Sequence, residues 1–197
     1  MTTIESTRFS FRSSPLPGVW EADRMPIFDA RGSFARFFCR DEFLKLGMDI
    51  FPTQMNFSKS NLAGTIRGMH FQYMPNAETK VVTCMSGSVF DVAVDLRYNS
   101  PTFLQWFGVT LSSARQNSLI IPPGVAHGFQ SLVDQAEILY IVTSTYSSSL
   151  EGGLHPLDPG IGIHWPLPPA EISERDMQRD YIDVTMYAGL TQQGGRR

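Results

Sequence analysis

A histidine in an extended segment is the first candidate for proton chemistry. His70 lies within RGMHFQ, residues 67–72. If this run is a β-strand, Gly68, His70 and Gln72 share one face, while the apolar residues between them share the other. An imidazole titrates near neutral pH and can accept or deliver a proton. The alternative is a strand histidine satisfied by its structural neighbours.

A second histidine follows a turn rich in proline and glycine. His127 comes after IPPGVA, residues 121–126, which predicts a rigid turn that aims the next strand. Lys80 lies ten positions after His70, and Arg67 lies three positions before it. Two cations can therefore converge near one imidazole. The alternatives are a turn histidine bonded to backbone and ordinary surface cations.

Composition bounds the class of protein. The 197 residues are 42% hydrophobic and 18% charged, which suits one soluble domain over residues 1–197 with a sizeable core. A net charge of -3 argues against general electrostatic binding of nucleic acid. Cys39 and Cys84 are too few for a disulfide framework, which favours a reducing cytoplasm. The chain shows neither a signal-peptide core nor an apolar run of membrane-spanning length, so no membrane association is expected.

β-like segments dominate from Lys80 onward, and turn residues separate them. This pattern favours a sandwich or barrel over alternating β-α-β units. In the run 88–96, one face is apolar and the other carries Asp91 and Asp95, which predicts a strand with one wall in a core. The predicted strands are Lys80 to Met85, Ser88 to Leu96, Leu104 to Leu111, Ser118 to Ile121 and Glu137 to Thr145.

Helical signals are sparse. One short helix is predicted from Arg40 to Leu46, with Gly47 available for a left-handed end. After Tyr146 the chain is rich in Gly and Pro, and SERDMQRD at 173–180 indicates a short helix in a segment packed across the barrel. Residues 190–197, which end in QQGGRR, are expected to fray. The predicted fold is an all-β jelly-roll barrel with a few short, mainly C-terminal helices.

An ordered series of short motifs resembles the dTDP-4-dehydrorhamnose 3,5-epimerase family over about residues 17–176. The resemblance implies a cupin-type barrel that inverts C3, C5 or both in a nucleotide-linked 4-keto-6-deoxyhexose, without a cofactor. The motifs are D-x-R-G-x-F at 29–34, RGMHFQ, Lys80, FDVAVDLR, SPT with Trp106, IPPGVAHGF, Tyr140, Tyr146 to Glu151, DPGIGIHWP and Ser173-x-x-Asp176.

The resemblance assigns four catalytic roles. His70 is the base, and Asp176 is its acidic partner, which fixes the tautomer and stabilises the imidazolium. Tyr140 is the proton donor on the opposite face of the sugar, because a phenol stays protonated at neutral pH. Lys80 stabilises the negative charge of the enolate that forms beside the ketone.

The resemblance also implies a set of ligand-binding residues. Tyr146 matches an aromatic residue that stacks on the nucleobase. Arg31 and Arg67 present forked donors suited to a diphosphate. The remaining binding positions are Arg36, Gln54, Asn56, His127, Glu151 and Arg175.

Three departures from the family pattern leave the nucleotide and the regiochemistry open. Arg36 stands where the family often has Glu, Ile141 where it often has Lys, and Ser148 where it often has Pro. A glutamate can accept the N3–H of thymine, whereas arginine only donates and would suit cytosine. Both dTDP-linked and CDP-linked sugars therefore remain candidates. The alternative is that Arg36 faces solvent or a phosphate.

Alternative functions and the oligomeric state are weighed against the same resemblance. A metal-dependent cupin is disfavoured because Gln72 replaces the second histidine of H-x-H, and glutamine is a poor transition-metal ligand. A keto-sugar isomerase and a non-catalytic sugar-nucleotide binder remain alternatives. The expected partners are the nucleotide-diphosphate sugar and a second copy of the chain. In such a homodimer the N-terminal strands are expected to join the neighbour's sheet.

Overall fold

The computed structural model describes residues 1–191, and antiparallel β-strands dominate it. Most of the predicted tail, residues 192–197, lies outside the described residues. In chain order the strands are β1 (Thr3–Glu5), β2 (Phe9–Ser13), β3 (Trp20–Arg24), β4 (Ile27–Asp29), β5 (Gly32–Phe34), β6 (Gln54–Ser60), β7 (Ile66–Gln72), β8 (Lys80–Ser86), β9 (Ser88–Asp95), β10 (Trp106–Ser112), β11 (Asn117–Ile121), β12 (Val125–Ser131), β13 (Ala136–Val142) and β14 (Glu151–Gly153), and the helices are α1 (Arg40–Phe43) and α2 (Glu174–Met177).

Two sheets form the walls of the barrel. The seven-stranded sheet has the order β1-β2-β3-β11-β8-β13-β6, and the five-stranded sheet has the order β10-β9-β12-β7-β14. Strands β4 and β5 form a separate hairpin. This arrangement confirms the predicted all-β fold. No helix within residues 1–191 has the length and apolar character needed to cross a bilayer.

Three apolar clusters hold the layers together. The first lies between the sheets and contains Val82, Leu119 and Phe129. The second covers the outer face of the five-stranded sheet, where Met69 and Val94 pack against the C-terminal segment. The third covers the outer face of the seven-stranded sheet with residues from α1 and its surroundings. Burial of this apolar surface is the main driving force for folding.

Strand β9 corrects the prediction of a single buried wall. Val92 and Val94 are fully buried in the cluster under the C-terminal segment. The opposite face is buried as well, since both Asp91 and Asp95 are 0% exposed. Buried carboxylates require partners, so these two residues carry specific interactions and do not form a solvated face.

The predicted helix at Arg40 to Leu46 is present, but it changes character halfway. Helix α1 covers its first turn, and a 3-10 turn follows at Leu44–Leu46. Gly47 ends the turn with φ 73°, the left-handed conformation that glycine adopts without a Cβ clash.

The N-terminal strands belong to this chain's own sheet. Strand β2 pairs with β3 along five residues, and β3 pairs with β11 through Trp20 and Ile120. Within the same sheet β1 and β6 are the two edge strands. The expectation that the N-terminal strands join a neighbour's sheet in a homodimer stays a prediction. The hairpin β4–β5 is the N-terminal element that pairs with neither sheet.

Candidate active site

A cavity of about 1030 Å³ opens between the two sheets. Its size matches the upper range of small-molecule sites. The seven-stranded sheet supplies one wall, the five-stranded sheet the other, and the segment around α2 closes one side. The predicted site residues that line it are Gln54, Asn56, Arg67, His70, Lys80, His127, Tyr140, Tyr146, Glu151, Arg175 and Asp176.

His70 and Asp176 form a hydrogen-bonded pair in this cavity. The imidazole Nε2 lies 2.7 Å from Asp176 Oδ1. An ionised carboxylate only accepts, so Nε2 carries the proton and Nδ1 keeps its lone pair. Burial raises the pKa of Asp176, but hydrogen bonds from His70, Ser173 and the Gly68 N–H outweigh it, and the pKa lies below its ordinary value. Asp176 is therefore an anionic partner for the imidazole.

Gly68 is required by the local backbone that carries His70. Its φ is +113°, a conformation that residues with a side chain rarely adopt. A Cβ at this position would also lie 2.6 Å from Gly128 Cα and 2.7 Å from the His127 carbonyl oxygen. Strands β7 and β12 thus approach closely, and His70 and His127 face each other as paired residues.

His127 is held by a carboxylate behind the cavity wall. Its Nε2 lies 2.9 Å from Asp91 Oδ2. Burial raises the pKa of Asp91, while His127 and Lys80 act in the opposite direction. Asp91 Oδ1 has no hydrogen-bond partner among the described residues. Burial is the largest of these effects, so the pKa of Asp91 lies above its ordinary value, whereas that of Asp176 lies below it. The second histidine therefore also has a carboxylate partner, in a more deeply buried setting.

Lys80 extends into the cavity from the opposite sheet. Its Nζ lies 3.2 Å from Glu78 Oε1 and 3.5 Å from the His70 carbonyl oxygen. The Lys80 side chain is 11% exposed and that of Glu78 is 9% exposed, so the pair is largely shielded from water. The ammonium group is thereby held beside the strand that carries His70.

Tyr140 lies on β13, across the cavity from His70 on β7. Burial raises the pKa of its phenol, the Glu78 carboxylate adds to this shift, and Arg67 opposes it. The phenol therefore stays protonated at neutral pH. The two predicted proton-transfer groups stand on opposite sheets, which is the arrangement that two-sided proton transfer requires.

The cavity mouth is rich in charged and aromatic groups. Tyr146 donates its phenolic hydrogen to Glu151 Oε2 at 2.6 Å, and Arg175 Nη1 donates to the same oxygen at 3.1 Å. Arg175 Nη2 also lies 3.4 Å from His70 Nε2. Gln54 Oε1 accepts the Tyr146 backbone N–H at 2.7 Å. These contacts orient the Tyr146 ring and place a cation between the mouth and the imidazole.

Arg31 and Arg36 lie outside this chain's cavity. Arg31 is on the hairpin, where its side chain is 89% exposed and pairs with Asp29 at 2.6 Å. Arg36 Nη1 donates to Glu42 Oε1 at 3.0 Å, beside α1. The structure therefore separates these two predicted binding residues from the others.

Two buried polar residues and one half-buried glutamate add to the predicted set. Glu78, Gln72 and Asp91 hold Lys80, the Tyr146 segment and His127 respectively. The sequence pattern places Gln72 on the His70 face, but only the fold reveals what it contacts. Among the described residues, no group of three or more His, Cys, Asp or Glu side chains converges as a metal site.

Fold and cavity together define the class of the protein as a cupin-like β-barrel enzyme. A family model described as dTDP-4-dehydrorhamnose 3,5-epimerase matches residues 13–183. The chain therefore belongs to the dTDP-4-dehydrorhamnose 3,5-epimerase family, whose members are isomerases acting on carbohydrates.

Individual relatives agree with the family assignment. The chain is 45% identical to a dTDP-4-dehydrorhamnose 3,5-epimerase of Salmonella typhimurium over 87% of this chain and 94% of the relative. It is 37% identical to a dTDP-4-dehydrorhamnose 3-epimerase of Streptomyces niveus over 89% of this chain and 84% of the relative. A crystal structure of a 3,5-epimerase from Legionella pneumophila in complex with dTDP-4-keto-L-rhamnose has a TM-score of 0.84, 34% identity and coverage of 89% and 94%.

Proposed function

We propose that this enzyme inverts C3 and C5 of a dTDP-linked 4-keto-6-deoxyhexose by removing and returning protons beside the ketone. The observation that carries the proposal is the placement of His70 and Tyr140 on opposite walls of one cavity. The names of the relatives support the dTDP-linked sugar as substrate.

His70 is the base in this proposal. Its Nδ1 lone pair takes the proton from the carbon beside the ketone, and Asp176 stabilises the resulting imidazolium through Nε2. Because Asp176 is buried and anionic, the imidazole keeps one tautomer and one orientation. A positioned general base contributes about 10² to 10⁴ in rate.

Lys80 stabilises the intermediate. Loss of the proton leaves an enolate whose charge resides largely on the former ketone oxygen, and an ammonium group in a water-poor cavity lowers the energy of that charge. Tyr140 then delivers its phenolic proton to the opposite face of the same carbon. The raised pKa of Tyr140 suits this role, because the phenol enters the cycle protonated.

The cavity mouth binds the nucleotide. Tyr146 presents an aromatic face for the base, and the hydrogen bond to Glu151 fixes its ring. Arg175 and Arg67 supply guanidinium donors for the diphosphate. Gln54, Asn56 and His127 complete the polar lining around the sugar.

The working assembly in this proposal is a cytoplasmic homodimer in which Arg31 reaches the partner's cavity. The hairpin that carries Arg31 exposes Phe28 by 71% and Phe34 by 62%. On the edge strand β6, Met55 and Phe57 are exposed by 62% and 60%. Such adjacent apolar residues on a soluble protein mark association surfaces. Two free cysteines among the described residues, Cys39 and Cys84, suit a reducing compartment.

Mixed dimers test the assembly. His70→Asn and Arg31→Ala protomers, each weakly active alone, should regain activity when they are mixed, because one site of the mixed dimer has both native residues. If subunit exchange is confirmed and activity does not recover, the proposal that Arg31 reaches the partner's cavity is contradicted.

Deuterium labelling tests the activity. The protein is incubated in heavy water with dTDP-linked and CDP-linked 4-keto-6-deoxyglucose, and label at C3 and C5 is followed by NMR. We expect label and inversion at both carbons of the dTDP-linked sugar. Label at C3 alone would make the protein a 3-epimerase like the Streptomyces niveus relative, and migration of the ketone would make it an isomerase.

A further inference from the structure

Gln72 occupies a polar junction next to His70 that the proposed chemistry does not use. Its side chain is 5% exposed and lines the cavity. The amide nitrogen lies 3.1 Å from Glu78 Oε2, 3.1 Å from the Asn76 carbonyl oxygen and 3.2 Å from the Thr145 carbonyl oxygen. The amide oxygen accepts the Ser147 N–H at 2.7 Å. One side chain therefore connects segments on both sides of the site.

Glu78 is the other half of this junction. One carboxylate oxygen receives the Gln72 amide, and the other lies 3.2 Å from Lys80 Nζ. Holding a flexible lysine in one geometry removes rotamer freedom that substrate binding would otherwise have to remove. Each oxygen of the Glu78 carboxylate can accept a hydrogen bond, and Gln72 and Lys80 supply one donor each.

We infer that Gln72 and Glu78 are positioning residues that form a polar clamp, which fixes Lys80 at the enolate and holds the Tyr146 segment at the nucleotide. The inference rests on the proposed function, because it assigns roles relative to Lys80 and Tyr146. Through Glu78 the clamp acts on the chemical step. Through Ser147 and Thr145 it acts on nucleotide binding.

Only an amide at position 72 satisfies this set of contacts. A carboxylate there could accept the Ser147 N–H, but it could not donate to Glu78, and two carboxylates would repel each other in a shielded cavity. The double variant Gln72→Glu with Glu78→Gln exchanges the two groups. The amide at position 78 can then donate to the carboxylate at position 72, so one hydrogen bond between the positions is restored. The exchange does not restore donation to the Thr145 carbonyl.

The test compares the wild type, Gln72→Glu, Glu78→Gln and the exchanged double variant. Measured quantities are kcat and KM with dTDP-4-keto-6-deoxyglucose, the Kd of dTDP by calorimetry, and the melting temperature. Gln105→Glu is the matched control, since Gln105 is exposed and outside the cavity. If Gln72→Glu does not fold, Gln72→Met takes its place in the single-variant comparison.

We expect kcat to fall about tenfold or more in Gln72→Glu, the effect of losing one hydrogen bond to a charged group, with weaker dTDP binding. Glu78→Gln should lower kcat and leave the Kd of dTDP unchanged. The double variant should recover kcat but not dTDP affinity, a split that a general loss of stability does not produce. Wild-type kcat in Gln72→Glu, or no recovery in the double variant, would overturn the clamp.

The wild type separates failure of the clamp from failure of the proposed function. A wild type that binds dTDP but neither inverts nor labels the sugar contradicts the proposed function. The dTDP affinities of the Gln72 variants then test the clamp through Tyr146, and an affinity equal to that of the wild type would contradict it.

Discussion

His70 Nε2 and Asp176 Oδ1 lie 2.7 Å apart although 106 positions separate the two residues in the chain. The contact depends on α2, whose N-cap residue Ser173 accepts the Asp176 N–H at 3.2 Å. The four-residue helix therefore places one carboxylate against the strand that carries the imidazole. The base of the proposed mechanism is thus assembled from the middle and the end of the chain.

Replacing either member of this pair should disable proton removal. His70→Asn should abolish deuterium exchange at every carbon that the wild type labels, and Asp176→Asn should lower the exchange rate by about 10²-fold or more, because the imidazole loses its orientation and its counter-charge. Exchange is measured by NMR in heavy water on folded variants. A wild-type exchange rate in His70→Asn would show that another group is the base.

Tyr140→Phe should separate the two halves of the reaction. Proton removal by His70 leaves the phenol untouched, whereas inversion needs a donor on the opposite wall. Inversion should therefore fall more than exchange, with a ratio that changes by about tenfold or more. Both rates come from one labelling experiment. Equal inversion by variant and wild type would assign the second proton to water or another side chain.

Activity should survive treatment with a chelator. In the proposed mechanism Lys80 stabilises the enolate charge, a task that other enzymes give to a metal ion. The measurement is kcat before and after dialysis against EDTA, with metal content determined in parallel. A stoichiometric metal whose removal abolishes activity would place this chain with the metal-dependent cupins.

Sequence patterns predict most strands from Lys80 onward because alternation and turn residues both mark them, but they do not predict the three-residue strand β14. The same patterns do not predict β1 to β6, since three of these strands have only three residues each and β6 alternates polar with exposed apolar side chains. In β6, Met55 and Phe57 point outward, so hydrophobicity misidentifies the buried face. The inward face carries Gln54 and Asn56, which line the cavity.

The site residues also fall into a group that the sequence predicts and a group that it does not. Motifs identify residues whose chemistry is individually recognisable, such as His70 and Tyr140. Glu78 and Asp91 gain significance only from burial beside Lys80 and His127, and burial depends on contacts distant in sequence. The position of Arg31 outside the cavity could not be predicted either, because a motif does not report which face of a hairpin meets the ligand.

Asp95 should stabilise the protein in a defined range of acidic pH. Burial opposes its ionisation, but hydrogen bonds from Arg97, Ser100 and Thr102 outweigh burial and lower its pKa to about 2. Since the unfolded pKa is about 3.9, this stabilisation is complete above that pH and is lost as pH falls through 2. It amounts to about 2 kcal/mol.

Urea unfolding of wild type and Asp95→Asn between pH 7 and pH 2 measures this contribution. The difference in unfolding free energy should be constant above about pH 5 and should shrink below pH 4. Asp134→Asn is a control, because Asp134 lies at an exposed turn and accepts one backbone N–H. A difference that stays constant down to pH 2 would show that Asp95 acts through packing alone.

Arg36 should stabilise the fold and leave the choice of nucleotide base to other residues. An arginine free to contact the base would favour cytosine, since it only donates hydrogen bonds. The structure instead pairs it with Glu42, which is 7% exposed and also accepts hydrogen bonds from Ser6 and the Arg8 N–H. We therefore expect the wild type to bind dTDP at least as tightly as CDP, and Arg36→Gln to keep that preference.

Arg36→Glu should lower the free energy of unfolding by about 1–3 kcal/mol, because it sets two carboxylates against each other at a partly buried site. Competitive titration with dTDP and CDP, together with urea unfolding of the three proteins, measures both effects. A preference for CDP that falls about tenfold or more in Arg36→Gln would assign Arg36 to the base and not to Glu42.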